Sequence, residues 1–146
     1  MYEFLRYRVK DVMVASPVTI GPDTTLAELE EIFEAHDFNG VPVADLEGRL
    51  LGMATKFDIL KAFAFGTEQM VPPYEEIMRR PVESVMTRDP RTMDPETPLT
   101  RTLQVMVEMR NKSFPVTDEG IIVGMVARED VLSALRRSTD GRGPAD

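Results

Sequence analysis

The sequence repeats itself, and this repeat constrains the fold more than any other feature of the chain. Val9–Met13 returns as Val82–Met86, 73 positions later, and after one residue drops out at a turn Asp58 returns as Asp130, 72 positions later. A repeat of this length indicates two supersecondary units that stack on each other. Each unit, of roughly 55 residues, is too small to bury a good core alone. We therefore expect the two repeats to pack about a pseudo-twofold axis.

The composition argues against several classes of protein. The 146 residues include no cysteine, which removes disulfide, thiolate and zinc-thiolate chemistry. The net charge of −8 argues against duplex nucleic acid or an anionic membrane as the main partner. No stretch approaches the roughly 20 apolar residues of a membrane span, and the start lacks the plan of a signal peptide. We expect a soluble cytoplasmic protein.

The same order of elements is predicted in both repeats. Prolines and β-branched residues favour strands, and the capping box of Thr25 with Glu28 favours a helix start. In repeat one the prediction is a strand at Pro17–Ile20, a helix at Thr25–His36, strands at Val41–Ala44 and Leu50–Ala54, and a helix at Phe57–Phe65. In repeat two it is a strand at Thr92–Met93, a helix at Thr97–Arg110 with Pro98 at its first position, strands at Phe114–Thr117 and Ile121–Val126, and a helix at Arg128–Arg137.

The domain layout follows from these elements. Residues 1–65 form the first repeat with a lead-in, which includes a helical turn at Met1–Tyr7. Residues 66–81 are a proline-containing connector with a helical turn at Tyr74–Met78. Residues 82–137 form the second repeat, and residues 138–146, which lack large apolar side chains, are expected to be a disordered tail.

The residues that recur in register resemble a known family. Pro17-Val18-Thr19, Val41-Pro42-Val43 and Gly52–Asp58, with their second-repeat counterparts, are similar to a tandem pair of cystathionine β-synthase (CBS) domains, and the resemblance extends from Val9 to Arg137. It implies an α/β (α+β) fold of two β-α-β-β-α repeats, known as a Bateman module. It also implies a regulatory module that binds AMP, ADP or ATP, or in some members S-adenosylmethionine, in clefts between the repeats. Such modules usually form homodimers.

The chemistry of the β-to-α junction in repeat one suits an adenosine ligand. Asp58, in the first turn of a helix, can accept hydrogen bonds from ribose hydroxyls, and the Thr55 hydroxyl with nearby backbone N–H groups suits a phosphate. Gly52 lets a planar ring approach the backbone. The alternative is that Thr55 and Asp58 form an N-cap pair that needs no ligand.

The second repeat departs from this pattern. Ala127 stands where repeat one has a threonine, while Asp130 is kept. Loss of a cap hydroxyl costs a helix about 1 kcal/mol and is tolerable for folding. As a ligand site this junction lacks one phosphate donor, so we expect two unequal sites.

The resemblance implies which residues form each site, because in the family the aspartate of one repeat generally closes a cleft whose base-binding wall comes from the other repeat. The first site joins Thr55 and Asp58 to Arg91, Thr92, Met93, Lys112, Ser113 and Phe114. The second joins Ala127 and Asp130 to Val18, Thr19, Ile20, Asn39, Gly40 and Val41. Lys112 and Arg128 are the cations expected to meet a phosphate. The alternative for both Lys112 and Arg128 is a solvated surface charge.

No catalytic group is predicted. The one histidine, His36, lies at a predicted helix C-terminus, and the sequence contains neither a P-loop nor a dinucleotide-binding glycine motif. No metal site is predicted. The favoured function is a nucleotide sensor that changes its contacts with an unknown effector protein. The alternatives are a scaffold that dimerises through Phe57–Phe65 and Val131–Leu135 and keeps only a vestigial cleft, and, less favoured, an enzyme.

Overall fold

The chain is a mixed α+β protein, seen in a computed structural model that describes residues 2–64 and 73–144. The helices are α1 (Leu26–Ala35), α2 (Lys56–Ala64), α3 (Tyr74–Met78), α4 (Leu99–Met109) and α5 (Arg128–Thr139). The strands are β1 (Val14–Ala15), β2 (Gly40–Ala44), β3 (Leu50–Thr55), β4 (Thr87–Arg88), β5 (Ser113–Asp118) and β6 (Ile121–Ala127). Three short 3₁₀ helices occupy Tyr2–Arg6, Val9–Asp11 and Val82–Ser84.

The contacts divide the chain into two compact units that do not coincide with the two sequence repeats. Unit 1 combines Met1–Pro17 with Arg91–Asp146, and unit 2 is the continuous segment Val18–Pro90. Each unit contains one three-stranded antiparallel sheet, with strand order β1-β6-β5 in unit 1 and β2-β3-β4 in unit 2. The first strand of each repeat, β1 in repeat one and β4 in repeat two, therefore completes the sheet of the other repeat.

Each unit has its own apolar core. In unit 2 the apolar face of α1 is buried through Leu26, Leu29 and Phe33. That core is completed by the following side chains: Val41, Val43, Ala54, Ala62, Ile77 and Val82. The core of unit 1 contains the following side chains: Phe4, Tyr7, Val9, Leu99, Val105, Phe114, Val116, Val126 and Val131. Phe4 and Tyr7 bring the predicted lead-in turn into this core.

The main helices and hairpins agree with the sequence. The capping box that starts α1 is confirmed, because Glu28 N–H donates to Thr25 Oγ1 and Thr25 N–H donates to Glu28 Oε1, each at 3.2 Å. The predicted helical turn at Tyr74–Met78 is α3. Phe65, the predicted last residue of the second helix, and residues 66–72 of the predicted connector lie outside the described residues.

Two predicted strands are wrong in extent. Within Pro17–Ile20 only Ile20 pairs, in parallel with Val43, and within Thr92–Met93 only Met93 pairs, in parallel with Val116. In unit 2 the pairing consists of Ile20 N–H to Pro42 O and Ala44 N–H to Ile20 O. The next bonds of this ladder would need an N–H on Pro22 at one end and on Pro42, opposite Val18, at the other, and proline has none.

The ends of two helices also differ from the prediction. Pro98 is the residue before α4 and not its first residue, in an extended conformation (φ −58°, ψ 139°). Helix α5 continues past Arg137 into the segment predicted as a disordered tail. Ser138 is buried and donates its hydroxyl hydrogen to Ala134 O at 2.8 Å, and Tyr7 donates to Arg142 O at 3.3 Å. These contacts hold the described part of the tail, through residue 144, against unit 1.

Among the helices of residues 2–64 and 73–144, none is both long enough and apolar enough to cross a membrane.

The close approach of β4 to β3 generates the first prediction. A Cβ atom added at Gly52 would lie 2.6 Å from Thr87 O and 3.0 Å from Met86 Sδ, whereas one added at Gly21 would meet nothing within 4 Å. We expect Gly52→Ala to lower the free energy of unfolding by about 1–3 kcal/mol, because β4 has to move away. Thermal unfolding of both variants measures this.

Gly21→Ala is the control, because both substitutions replace a glycine of unit 2 with alanine and reduce the entropy of the unfolded chain. Equal melting temperatures for the two variants would contradict the assigned contact.

Candidate functional site

The predicted site residues of unit 2 meet at one end of its sheet. Gly40 pairs with Thr55 and Val41 with Ala54, while Ile20 lies on the other side of β2, beside Val43. Because the bridge of Ile20 is parallel, the chain before it runs back toward the start of β2. The structure therefore brings together, within this unit, the following predicted residues: Val18, Thr19, Ile20, Asn39, Gly40, Val41, Thr55 and Asp58. Val18, Thr19 and Asn39 are exposed at this edge.

Thr55 and Asp58 form a reciprocal capping box where β3 passes directly into α2. Thr55 donates to Asp58 Oδ2 twice, from its N–H at 2.8 Å and from its hydroxyl at 3.0 Å. Asp58 N–H donates in return to Thr55 Oγ1 at 3.3 Å. The N-cap alternative left open by the sequence is thus realised, and it fixes the position of both side chains.

Lys61 is a member of this junction that the sequence analysis missed. Its Nζ lies 2.8 Å from Asp58 Oδ1, and the side chain of Asp58 is only 2% exposed. The spacing of Asp58 and Lys61, three residues apart on one helix, is a readable signal for such a pair. A carboxylate has about four acceptor positions, and three of them are used here. Without a rearrangement Asp58 therefore cannot accept from two ribose hydroxyls.

The role predicted for Gly52 is wrong. Its Cα faces the carbonyl of Thr87 and the side chain of Met86. The missing side chain admits β4 to the sheet of unit 2, and the space expected for a planar ring is filled by protein.

The predicted site residues of unit 1 form the equivalent edge. Ser113 pairs with Ala127 and Phe114 with Val126, and Met93 lies in parallel beside Val116. Phe114 and Met93 are buried, whereas Arg91 and Lys112 are exposed. The structure brings together, within this unit, the following predicted residues: Arg91, Thr92, Met93, Lys112, Ser113, Phe114, Ala127, Arg128 and Asp130.

Asp130 is less firmly held than its counterpart Asp58. Its Oδ2 accepts from Ala127 N–H at 2.7 Å, and no other hydrogen bond or ion pair reaches it from the described residues. Burial raises the pKa of the Asp130 carboxyl, and the charge of Glu129 raises the pKa further, while the bond from Ala127 lowers it in part. With no threonine and no lysine beside it, this carboxylate keeps more of its acceptor positions.

The predicted role of Arg128 needs correction. Its guanidinium group donates to Asn111 O at 3.1 Å and to Arg110 O at 2.9 Å. These carbonyls follow the end of α4, so Arg128 satisfies groups that the helix leaves unpaired. Lys112 and Arg91 have no side-chain hydrogen bond or ion pair within residues 2–64 and 73–144, and they are the cations that remain for an anion at this edge.

Metal ligation has no support in the part of the chain that the structure describes, where no three His, Cys, Asp or Glu side chains are arranged to hold an ion.

Comparison with known proteins identifies the family. The CBS domain matches residues 9–65 and 82–137, so the chain belongs to the CBS domain family. A CBS domain-containing protein of Dictyostelium discoideum is 31% identical over 134 residues, which cover 90% of this chain and 92% of that protein. Some relatives are much longer, and the chain spans 15% of an A-adding tRNA nucleotidyltransferase of Aquifex aeolicus, to which it is 24% identical.

Solved structures share the fold. The CBS domain pair of protein MJ0100, in complex with 5′-methylthioadenosine and S-adenosyl-L-methionine, has a TM-score of 0.72 and 27% identity, and the match covers 88% of this chain and 99% of that one. CBSX2 in complex with AMP has a TM-score of 0.78, 22% identity, and coverage of 91% and 98%. The mixed α+β fold expected from the resemblance is confirmed.

The raised pKa of Asp130 predicts a pH effect on stability. Above this pKa the charged carboxylate disfavours the folded state, and as the pH falls through it toward the ordinary value of 3.8 the folded protein takes up a proton first, which removes the cost. Asparagine carries no charge and can still accept from Ala127 N–H. The quantity to compare is the melting temperature of Asp130→Asn minus that of the unsubstituted protein. We expect this difference to be larger at pH 7 than at pH 4.

Asp118→Asn removes one exposed carboxylate from the same unit and serves as the control. A relative melting temperature of Asp130→Asn that stays constant between pH 7 and pH 4, or rises on acidification, would contradict the burial of a charged carboxylate at this position.

Proposed function

We propose that the chain is a regulatory module that binds an adenosine-containing ligand at the Thr55–Asp58 junction. The observation that carries this proposal is the carboxylate of Asp58, held by Thr55 and Lys61 at the end of a strand and the start of a helix. Such a fixed acceptor beside helix N–H groups suits a ribose and what is attached to it. The adenosine ligands of the MJ0100 pair, a relative of 27% identity over nearly its whole length, support the ligand class.

The two junctions are proposed to differ in strength. Thr55 adds a hydroxyl to the first, while Ala127 adds none to the second. Arg91 and Lys112 supply exposed positive charge on the edge of unit 1, where a phosphate of AMP, ADP or ATP is best accommodated. The predicted sharing of each site by both repeats stays a prediction. Ligands without a phosphate, such as S-adenosylmethionine, need neither cation.

The regulatory part of the proposal requires a difference in affinity. A ligand alters the contacts of this module with an effector protein only if it binds one conformation more tightly than another. In the longer relatives the matched region is a small part of an enzyme. A non-catalytic control role is therefore proposed for this chain.

A scaffold with a vestigial cleft is the second candidate. The observation in its favour is that Thr55 and Lys61 already supply hydrogen bonds to both oxygens of Asp58, whose side chain is 2% exposed. A helix cap of this kind stabilises the fold with no ligand.

Thermal unfolding with AMP, ADP, ATP, NAD and S-adenosylmethionine tests the proposal. A ligand at about 100 times its dissociation constant adds roughly 2.7 kcal/mol to the free energy of unfolding, which raises the melting temperature by several degrees. We expect one adenosine ligand to give this shift. Asp58→Ala should abolish the shift, and Asp130→Ala, at the equivalent position of the weaker junction, should retain most of it.

The comparison uses the shift caused by the ligand and not the melting temperature itself, because Asp58→Ala also removes the cap of α2 and leaves Lys61 without a partner. Absence of a shift with every ligand, in a protein that unfolds cooperatively, would favour the scaffold.

The module is also proposed to act as a homodimer. Phe57 and Leu60 on α2 and Leu132 on α5 are at least 60% exposed, which leaves an apolar surface on the helices of each unit. Light scattering at micromolar concentration checks this, and a strict monomer would exclude the dimer.

A further inference from the structure

Asn39 and Gly40 form an Asn-Gly pair where the chain enters β2, at the sheet edge that gathers the predicted site residues of unit 2. Asn39 is exposed, and its side chain forms no hydrogen bond within residues 2–64 and 73–144. Glycine has no Cβ, so other groups can approach its backbone closely. The pair therefore places a free side-chain amide beside an unhindered backbone nitrogen.

The N–H of Gly40 has no acceptor among the described residues. In β2 the backbone groups of Pro42 and Ala44 point toward Ile20, because Ile20 N–H donates to Pro42 O at 3.0 Å and Ala44 N–H donates to Ile20 O at 2.8 Å. Backbone groups alternate between the two sides of a strand, so those of Gly40 point the same way, beyond the last bond of this ladder.

The carbonyl of Asn39 is free as well, which distinguishes unit 2 from unit 1. In unit 1 the equivalent carbonyl, that of Lys112, accepts from Arg128 N–H at 3.0 Å. The corresponding donor in unit 2 is Lys56 N–H, and it forms no such bond with Asn39 O. The peptide group between Asn39 and Gly40 is thus bonded on neither side and is free to rotate.

We propose that Asn39 is a modification site, which the protein converts by itself to aspartate and isoaspartate. The Gly40 nitrogen attacks Cγ of Asn39. A C–N bond forms, the bond from Cγ to Nδ2 breaks, and ammonia leaves with the proton of the Gly40 N–H. Water then opens the resulting succinimide ring at either carbonyl, so that the side chain or the main chain carries the new carboxylate.

The burial of Gly40 does not prevent this reaction. The first step is intramolecular, and the water of the second step reaches the ring through the exposed Asn39. The other asparagine of the chain, Asn111, is followed by a lysine, whose side chain hinders the attacking nitrogen. In the similar pair Asp140-Gly141, the Gly141 N–H donates to Ser138 O at 3.1 Å. Asn39 is therefore the position at which these conditions meet.

The conversion changes the charge of the candidate site. Lys112 stands at the equivalent position of unit 1, so a carboxylate at position 39 makes the two edges opposite in charge. Isoaspartate also lengthens the main chain just before Gly40, which pairs with Thr55. We expect weaker binding of a phosphate-bearing ligand at this edge, because like charges repel. This consequence, unlike the conversion itself, rests on the proposed function.

Peptide mapping by mass spectrometry, after incubation of the folded protein in mildly alkaline buffer, tests the conversion. The peptide that contains Asn39 should gain the mass difference between an amide and an acid, with a positive isoaspartate methyltransferase assay. We expect Asn39 to convert roughly 10-fold faster than Asn111, because only Asn39 precedes a glycine. Asn39→Gln should stop the conversion, since its side chain would have to close a larger ring.

The chain unfolded in urea serves as the positive control for the chemistry. If Asn39 stays unconverted in the folded protein while the unfolded chain converts, the fold protects this pair and the proposal is overturned.

A matched variant tests the role of the unbonded peptide group. Lys112→Asn combined with Ser113→Gly places the same pair at the equivalent position of unit 1, where Arg128 N–H holds the carbonyl. We expect conversion there to be slower than at Asn39 in the same molecule by roughly 3-fold or more, because rotation has to break one hydrogen bond. Equal rates at the two positions would refute the role assigned to the free peptide group.

Thermal unfolding with AMP tests the consequence for the site. Asn39→Asp should give a smaller ligand-induced shift than Asn39→Gln, which lacks the charge and does not convert. Equal shifts would refute the consequence and leave the conversion measured by mass intact. No shift with any adenosine ligand would refute the proposed function and the consequence together, whereas the mass measurement involves no ligand.

Discussion

The approach of two backbones at a glycine is the contact on which each sheet depends. At Gly52 the carbonyl of Thr87 lies where a side chain would begin, and at Gly124 the carbonyl of Val14 and the side chain of Met13 do the same. Strands β4 and β1 are only two residues long, so their hydrogen bonds hold only if the chains come this close. Through these contacts the start of each repeat completes the other unit, and neither repeat is a closed structure by itself.

The sequence predicted the secondary structure correctly where an element is determined by residues close to it in the chain. The apolar stripe of α1 and the Thr25–Glu28 capping box are readable within ten residues, and the helices and hairpins follow from such patterns. Strands β1 and β4 were missed because their partners are distant: Val14 pairs with Met125. The extents of Pro17–Ile20 and Thr92–Met93 were overestimated because propensity reports a preference for extended backbone and not whether a neighbouring strand is there to pair with it.

In the candidate site, too, the sequence identified some features and missed others. The internal repeat and the family resemblance led to Thr55, Asp58 and Asp130, and the structure gathers the predicted residues of each unit at one sheet edge. What the sequence could not give was the state of each charged group. Lys61 forms an ion pair with Asp58, and Arg128 donates to the carbonyls after α4. Polar groups that are buried or left unpaired by a helix are satisfied by neighbouring side chains, which are then not available to a ligand. The two aspartates therefore differ more than the exchange of Thr55 for Ala127 suggests.

The discontinuity of unit 1 bears on the order in which the chain can fold during synthesis. Unit 2 is one uninterrupted segment, and all of it has left the ribosome once Pro90 and a short spacer have been added. Residues 1–17 have to remain without their sheet until β6 has been made, although they are translated before unit 2. For that whole interval Phe4, Tyr7 and Val9 lack the core in which they are buried in the final structure. Residues 1–17 thus precede unit 2 in the chain but find their place after it, and they are a natural point for chaperone binding during translation.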